Sequence, residues 1–332
     1  MLPDFFPTAS IESLKRRSQM LKAIRLFFDK HGFFEVETPL ISQDICVDRH
    51  LHPIALDADQ VTGVTEPPLP EKLWLQTSPE FGMKRILAAG ADAIYQISKC
   101  FRFGERGNLH NPEFTMLEWY RTGDGLETGM DFLALFIDKL LGLEGEEKVQ
   151  RKSYRSLFTE LLAIDPFESS VLELYQCCES NGLDCSGFSR SNDDRDFWLN
   201  YLLTTIIEPR LGVGRPLIIY DWPATQAALS IIRPDKPPVA ERFELYIDGL
   251  EIANGYHELR DAEELRQRNH FQNQLRARDG NGVLPSHSRL IQAMEFGLPA
   301  CAGVALGIDR LMMCLAGSRN IKDVIVFPIE RA

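Results

Sequence analysis

The stretch HNPEFTMLEWYR (110–121) sets a carboxylate, Glu118, between Met116 and Tyr120 in a run dominated by apolar and aromatic side chains. Strand alternation puts Phe114, Met116, Glu118 and Tyr120 on one face and Thr115, Leu117, Trp119 and Arg121 on the other. A lone buried carboxylate is costly, so a cation must meet Glu118, either another side chain or a ligand. Just upstream, FRFGERGNLHNPEF gathers cations around a turn. Arg102 has planar donors that suit a phosphate, whereas Arg106 reads equally as a solvated charge. Phe114 reads as core packing or as a platform for a nucleobase. No G-x-x-x-x-G-K-[ST] run occurs, so phosphate chemistry here is not of the P-loop kind.

A second constellation is ERFELYIDGLEIANGYHEL (241–259). Asp248-Gly249 is a two-residue hairpin signal that pairs Ile247 with Leu250, Tyr246 with Glu251 and Glu244 with Ala253. Glu244 and Glu251 then become diagonal neighbours, with Phe243, Leu245, Ile247, Leu250 and Ile252 on the opposite side. Two acids so placed either hold Mg2+ together with phosphate oxygens or form a solvated polar face. Asn254 and Glu258 continue the polar set. Glu258 reads as a surface acid or, joined with Glu118 and Tyr120, as an acidic end for an ammonium group. A third constellation, CAGVALGIDRLMMCLAG, is a small-residue strand entering a helix whose apolar stripe is Ile308, Leu311, Met312 and Leu315. Arg310 lies in the first helical turn, where the macrodipole disfavours a cation unless a phosphate, or a nearby acid such as Asp309, offsets it.

These residues need elements to hold them. SIESLKRRSQMLKAIRLFFDKHG reads as a helix capped by Ser10 and ended at Gly32, with Leu14, Met20, Leu21, Ile24, Phe27 and Phe28 as its stripe. FFEVETPLIS follows as an extended segment broken by Pro39. Residues 57–72, acidic and proline-bearing, read as an exposed loop, and FGMKRILAAG as a short helix stopped by Gly90. ADAIYQISKCFRFGERGNLHNPEFTMLEWYR reads as two strands joined by a polar, glycine-bearing loop. Residues about 125–210 are mainly helical in pattern, and strand patterns return at PLIIYDWP, at the hairpin and at CAGVALG. The architecture expected is α+β, an antiparallel sheet flanked by helices with a helical insertion.

Composition narrows the function. A net charge of −12 disfavours a large nonspecific nucleic-acid surface, though not a local basic patch. The 7 cysteines include no C-x-x-C, so disulfides and structural zinc are disfavoured, and His50 with His52 has no cysteine partner to complete a metal site. MLPDFFPTAS lacks the basic and apolar regions of a signal peptide, and no run is apolar enough to span a membrane. A cytoplasmic protein without membrane association is the expectation.

Taken together and in order, these segments resemble the three motifs of class II aminoacyl-tRNA synthetases, in the lysyl branch. The first helix through EVETPLIS resembles motif 1, FRFGERGNLHNPEFTMLEWY motif 2 and GVALGIDRLMM motif 3, while FELYIDGLEIANGYHELRDAEE is similar to a lysyl-specific segment. The resemblance covers nearly the whole chain and implies a single catalytic domain, 1–332. Motif 1 implies a homodimer. The chain starts almost at motif 1, without the anticodon-binding OB domain of lysyl-tRNA synthetases. It is thereby similar to stand-alone members of the branch that join (R)-β-lysine, or lysine less well, to elongation factor P rather than to tRNA. Ala305 stands where the tRNA-charging enzymes usually carry glycine, which implies a reshaped pocket. Motif 2 normally begins Phe-Arg-x-Glu, but here Phe103-Gly104-Glu105 follows Arg102, so adenine would be read by Glu105 or by backbone at Gly104.

The resemblance further implies roles. ATP is the co-substrate, bound by Arg102, Glu105, His110, Asn111, Phe114, Glu251, Ile252, Gly307 and Arg310, with Arg102 at the α-phosphate and Arg310 at the γ-phosphate end acting in catalysis. Glu244 and Glu251 hold Mg2+. Ser78, Pro79, Glu80, Glu118, Tyr120, Asn254, Glu258 and Ala305 bind the amino acid, Glu118 and Glu258 taking its distant ammonium. The amino-acid carboxylate is its own nucleophile, so no catalytic Ser, Cys or His is required. Competing readings are a tRNA-charging synthetase, a noncatalytic regulatory paralogue and an asparagine-synthetase-like ligase. The acidic pocket disfavours the last.

Overall fold

The computed structural model describes residue 3 and residues 5–63, 69–186, 188 and 195–332. Part of the loop expected at 57–72, residues 64–68, lies outside them. The chain divides into two units, one running to Gly125 and resuming at Glu258–Ala332, the other Leu126–His257.

The first unit begins with α1 (Ile11–Lys30), whose cap is Ser10, accepting from Ser13 N at 3.1 Å. Met20, Ile24 and Phe28 are its buried residues; Leu14, Leu21 and Phe27 are only part-buried, so the core-facing stripe is narrower than the pattern suggested. There follow β1 (Phe34–Glu35), β2 (Ile41–Ser42), β3 (Ala55–Asp57), α2 (Ala58–Thr62), β4 (Lys72–Leu75), α3 (Glu80–Ala88), β5 (Ala93–Phe101) and β6 (Glu113–Thr122). β5 and β6 are the antiparallel pair expected around the 102–112 loop, with Gln96 opposite Glu118. The face of β6 away from Glu118 anchors to α1: Phe28 stacks on Tyr95 at 4.7 Å and lies 5.3 Å from Trp119.

The second unit carries α4 (Leu126–Leu141), β7 (Gln150–Ser153), α5 (Tyr154–Leu162), α6 (Val171–Ser180), α7 (Arg195–Leu202), β8 (Leu217–Pro223), β9 (Ile232–Arg233), β10 (Val239–Ile247) and β11 (Leu250–His257). Its sheet runs β11-β10-β8-β7 with β9 beside β10. The short β7, parallel to β8, is a strand inside the stretch expected to be helical. α5, α6 and α7 bury Tyr154, Phe158, Leu174 and Trp198 in a core shared with Trp222 and Tyr246. The β10–β11 turn is the expected one: Asp248 and Gly249 have φ of 49° and 73°, the positive values a tight hairpin of matching twist requires.

The chain returns to the first unit with α8 (Ala262–Arg278), α9 (Arg289–Gly297), β12 (Cys301–Gly307) and α10 (Ile308–Ala316). β12 adds to β6, giving the order β1-β5-β6-β12, parallel only at β1–β5. In α10, Ile308, Leu311, Met312 and Met313 are buried while Leu315 is 45% exposed, so Met313 takes the place expected of Leu315. Both units are mainly antiparallel sheet with packed helices, the α+β class. Among the described residues no helix is long and apolar enough to cross a membrane.

Candidate active site

In the first unit, the β6–β12 register sets Met116 opposite Gly307, Glu118 opposite Ala305 and Tyr120 opposite Gly303. Opposed residues share a face, so three small residues clear a groove before an acid, a phenol and a thioether. Gly303 is required by space: a Cβ there would lie 2.2 Å from Tyr120 Cε1 and 2.3 Å from Glu258 Oε1. The structure therefore brings Glu258 to Tyr120, across a gap that sequence spacing left open.

Glu118 is fully buried. Its Oε1 accepts from Ser78 Oγ at 2.5 Å and its Oε2 from Tyr120 OH at 2.9 Å. Ser78 Oγ also accepts from Glu80 N at 3.1 Å, which fixes the Ser78-Pro79-Glu80 entry to α3 beside the acid. Neither contact is a cation. Burial above all, then the charge of Glu80, pushes the Glu118 carboxyl up to about 8 against the two hydroxyl donors. Burial likewise holds the Tyr120 phenol far above its ordinary range.

The cation in this pocket is one that sequence reading missed. Lys84 Nζ lies 2.5 Å from Glu80 Oε1 and 2.5 Å from Glu258 Oε2, with the lysine 1% exposed. Burial lowers the lysine's proton affinity, but the charges of Glu258 and Glu80 outweigh it and raise it. The Glu258 carboxyl still sits up at about 8, because burial and the charges of Glu80 and Glu118 exceed the help from Lys84. The available signal was the i, i+4 step from Glu80 within α3, which puts the lysine on the buried side with Met83 and Leu87.

At the other end of the same strands, the 102–112 loop is tied down at several points. Arg102 N donates to Pro112 O at 2.9 Å, Phe103 N to His52 O at 2.7 Å and Gly107 N to His110 O at 3.1 Å. Gly104 adopts φ of 80°, a conformation suited to glycine. Arg102 Cζ sits 5.0 Å from the Phe114 ring centroid, and Nη1 is 3.6 Å from Glu105 Oε1. Arg102 Nε is buried and has no hydrogen-bond partner among the described residues, which points to a missing acceptor. Asn111 spends both ends of its amide on the fold: Nδ2 donates to Glu113 O at 2.6 Å and Oδ1 accepts from Ile329 N at 3.0 Å.

Arg310 and His110 come together, Arg310 Nη2 lying 2.7 Å from His110 Nε2. Asp309 has its partners in α1 and β6. It is buried and bonds Arg17 Nη1 at 2.6 Å and Thr115 N at 2.7 Å, fixing the start of α10 to α1 and β6.

The second unit holds Glu244, Glu251, Ile252 and Asn254. A bulge between Leu245 and Tyr246 shifts the expected register, so Glu244 pairs with Asn254 rather than with Ala253. The face is not solvated: Glu244 is 3% exposed, ion-paired to Arg242 and accepting from Tyr246 OH at 2.6 Å. Burial, with the negative charge of Glu251 adding to it, pushes the Glu244 carboxyl up to about 7 despite Arg242. The charge of Glu251 thus reaches Glu244, although the register that made them diagonal neighbours is shifted by the bulge. Hard oxygen donors suit Mg2+, and no larger cluster of His, Cys, Asp and Glu placed for a metal occurs among the described residues. Ile252 is buried. Asn254 Nδ2 donates to Tyr256 OH at 3.1 Å, while its buried Oδ1 has no partner among the described residues.

Residues 4–331 match the family model for class II tRNA synthetases (D, K and N). The chain is 44% identical over 331 residues to the elongation factor P–(R)-β-lysine ligase of Vibrio cholerae, with 99% of each chain covered. It is 42% identical to that of Vibrio vulnificus, with 100% of each covered, and 40% identical to that of Haemophilus influenzae, with 98% of each covered. A family match across almost the full length, with the motif residues placed as described, makes this chain an enzyme of the class II tRNA synthetase family of the D, K and N type.

Proposed function

We propose that the enzyme is an ATP-dependent ligase that activates (R)-β-lysine, and α-lysine less well, and transfers it to a lysine ε-amine of elongation factor P. The names of its relatives support the substrate pair. The observation that carries the reading is the buried cluster in which Glu118, Glu258 and Tyr120 converge over Gly303 and Ala305. Two carboxyls held near 8 are primed to be ionised by an arriving ammonium, which satisfies them as water cannot in a buried site.

In the first step a carboxylate oxygen of the amino acid attacks the α-phosphorus of ATP. A P–O bond to pyrophosphate breaks and the aminoacyl-adenylate forms. Arg102 offers its unpartnered Nε to the α-phosphate, and Arg310, held by His110, meets the γ-phosphate end, where an anion also offsets its place at a helix N-terminus. Phe114 stacks on adenine, Glu105 reads its edge, Asn111 fixes the loop, and Glu251, Ile252 and Gly307 border the nucleotide. Ser78, Pro79, Glu80 and Asn254 complete the amino-acid site. Glu244 and Glu251 would hold Mg2+, which supplies charge neutralisation to the phosphates. In the second step the acceptor amine attacks the adenylate carbonyl, AMP leaves, an amide forms and the amine loses a proton. Catalysis rests on positioning and charge stabilisation.

We place the enzyme in the cytoplasm as a homodimer joined through α1 and the strand after it, where Ile11, Leu26 and Phe34 are 61%, 69% and 52% exposed. The stretch of about 125–210 is read as a mainly helical insertion in one catalytic domain. Pyrophosphate exchange with (R)-β-lysine, α-lysine and aspartate, followed by transfer to elongation factor P and to tRNA, tests the proposal. Exchange strongest with β-lysine and label on the protein acceptor are expected; tRNA charging without protein modification would contradict it.

A further inference from the structure

Lys84 is a charged group of the amino-acid pocket to which the proposed reaction gives no role, and it is among the most deeply buried side chains of the protein. A buried lysine is costly unless its charge does something there. Around it stand Glu80 from its own helix, Glu258 from the segment after β11, and Glu118 with Tyr120 from β6. Two thiols complete the surroundings. Cys46 and Cys301 both have proton affinities raised by burial, Cys301 up to about 12, so both stay neutral. Three carboxylates against one ammonium leave two uncompensated negative charges when all four groups are ionised. A diamino acid brings two ammonium groups, while its carboxylate goes to the reacting phosphate.

Geometry adds a second element. Lys84 Nζ ion-pairs with Oε2 of Glu258 at 2.5 Å without an aligned hydrogen bond, while the other oxygen, Oε1, lies over Gly303 beside the Tyr120 ring. The lysine thus grips the far side of the carboxylate and leaves the near side in the groove. We infer that Lys84 is a specificity-determining positioning residue, an internal ammonium that orients Glu258 and trims the pocket's charge to match a substrate carrying two ammonium groups. This rests on assigning the groove to the amino acid.

Without Lys84 the three carboxyls would lose the ammonium that favours their ionised forms and would hold their protons to higher pH than in the wild type. Binding of the dication would then have to displace protons held more tightly, so use of the substrate would need higher pH. The test is Lys84→Met, which keeps the unbranched apolar stem of the side chain and removes its charged end, read by pyrophosphate exchange from pH 6 to 9.5. The expected result is a fall in kcat/KM for (R)-β-lysine of about 100-fold at pH 7 and an acid limb displaced by about one pH unit or more to the alkaline side, with the KM for ATP within about twofold of wild type. A loss equal at every pH, or a folded variant with an unmoved acid limb, overturns the inference.

Should the variant fail to fold, calorimetry on the wild type decides. Binding of (R)-β-lysine at pH 7, compared in buffers of different ionisation enthalpy, should release about one to two protons. No release, or uptake, overturns the charge matching. Wild-type enzyme without any β-lysine-dependent exchange would instead sink the functional assignment itself, so the two failures are distinguishable.

Discussion

Arg17, part-buried, and Asp309, buried, form an ion pair at 2.6 Å between α1 and the first turn of α10, and the same guanidinium reaches Thr115 Oγ1 at 2.8 Å. Three separate stretches of sequence are fastened at that point, one residue from Arg310 and one from Phe114. Removing one partner of such a pair leaves the other charge stranded. Arg17→Ala should therefore cost about 3–5 kcal/mol of stability, measured by urea unfolding, and should raise the KM for ATP more than that for the amino acid. A variant as stable as wild type would show the pair to be dispensable.

Ala305 stands opposite Glu118 in the β6–β12 ladder. Its methyl group is the only side chain β12 offers to that part of the groove. Ala305→Gly should raise kcat/KM for α-lysine relative to (R)-β-lysine by about tenfold, in line with the small binding difference one methyl can make. An unchanged α/β ratio in pyrophosphate exchange would remove Ala305 from the account of selectivity.

Gly303→Ala is the converse change. The added Cβ would collide with the Tyr120 ring and the Glu258 carboxylate, both held by buried partners. Overpacking of about 1–3 kcal/mol falls on the amino-acid side, so kcat/KM for β-lysine should drop by about 10–100-fold with ATP binding intact. Equal losses for both substrates would indicate general misfolding instead.

The pH dependence has a definite sign. Glu118 and Glu258 are raised in the folded state from an ordinary value near 4.5 to about 8. A carboxyl raised by folding favours the folded state while protonated, so this contribution is complete below about 4.5 and is lost as pH rises through about 8. Without amino acid, wild-type stability should fall between pH 5.5 and 8.5. Glu118→Gln should lose less over that interval in parallel urea titrations. A wild type with flat stability there would contradict the raised values.

Much of the site was legible in the sequence, and the reasons for the exceptions are physical. Strand alternation was enough to put Glu118 with Tyr120, because period two is rigid and both faces of β6 are buried. The Asp248-Gly249 turn was legible because few residue pairs tolerate positive φ. The bulge that moves Glu244 from Ala253 to Asn254 was not, since an extra residue in a ladder leaves no mark in a run of apolar alternation. Lys84 escaped for a related reason. A lysine in an amphipathic helix ordinarily points to water, and here the long-range approach of Glu258 joins Glu80 in offsetting its burial. Asp309 read as one of two ways to offset Arg310, and the ion-pair partner that the structure gives it comes from α1, far away in sequence.

The most direct measurement is incubation of the enzyme with ATP, (R)-β-lysine and unmodified elongation factor P, followed by intact-mass analysis of the acceptor, with a parallel tRNA-charging reaction. The account predicts one lysyl unit added to elongation factor P through an amide on a lysine side chain, AMP and pyrophosphate as products, and uncharged tRNA. Charged tRNA with an unmodified protein acceptor would contradict it.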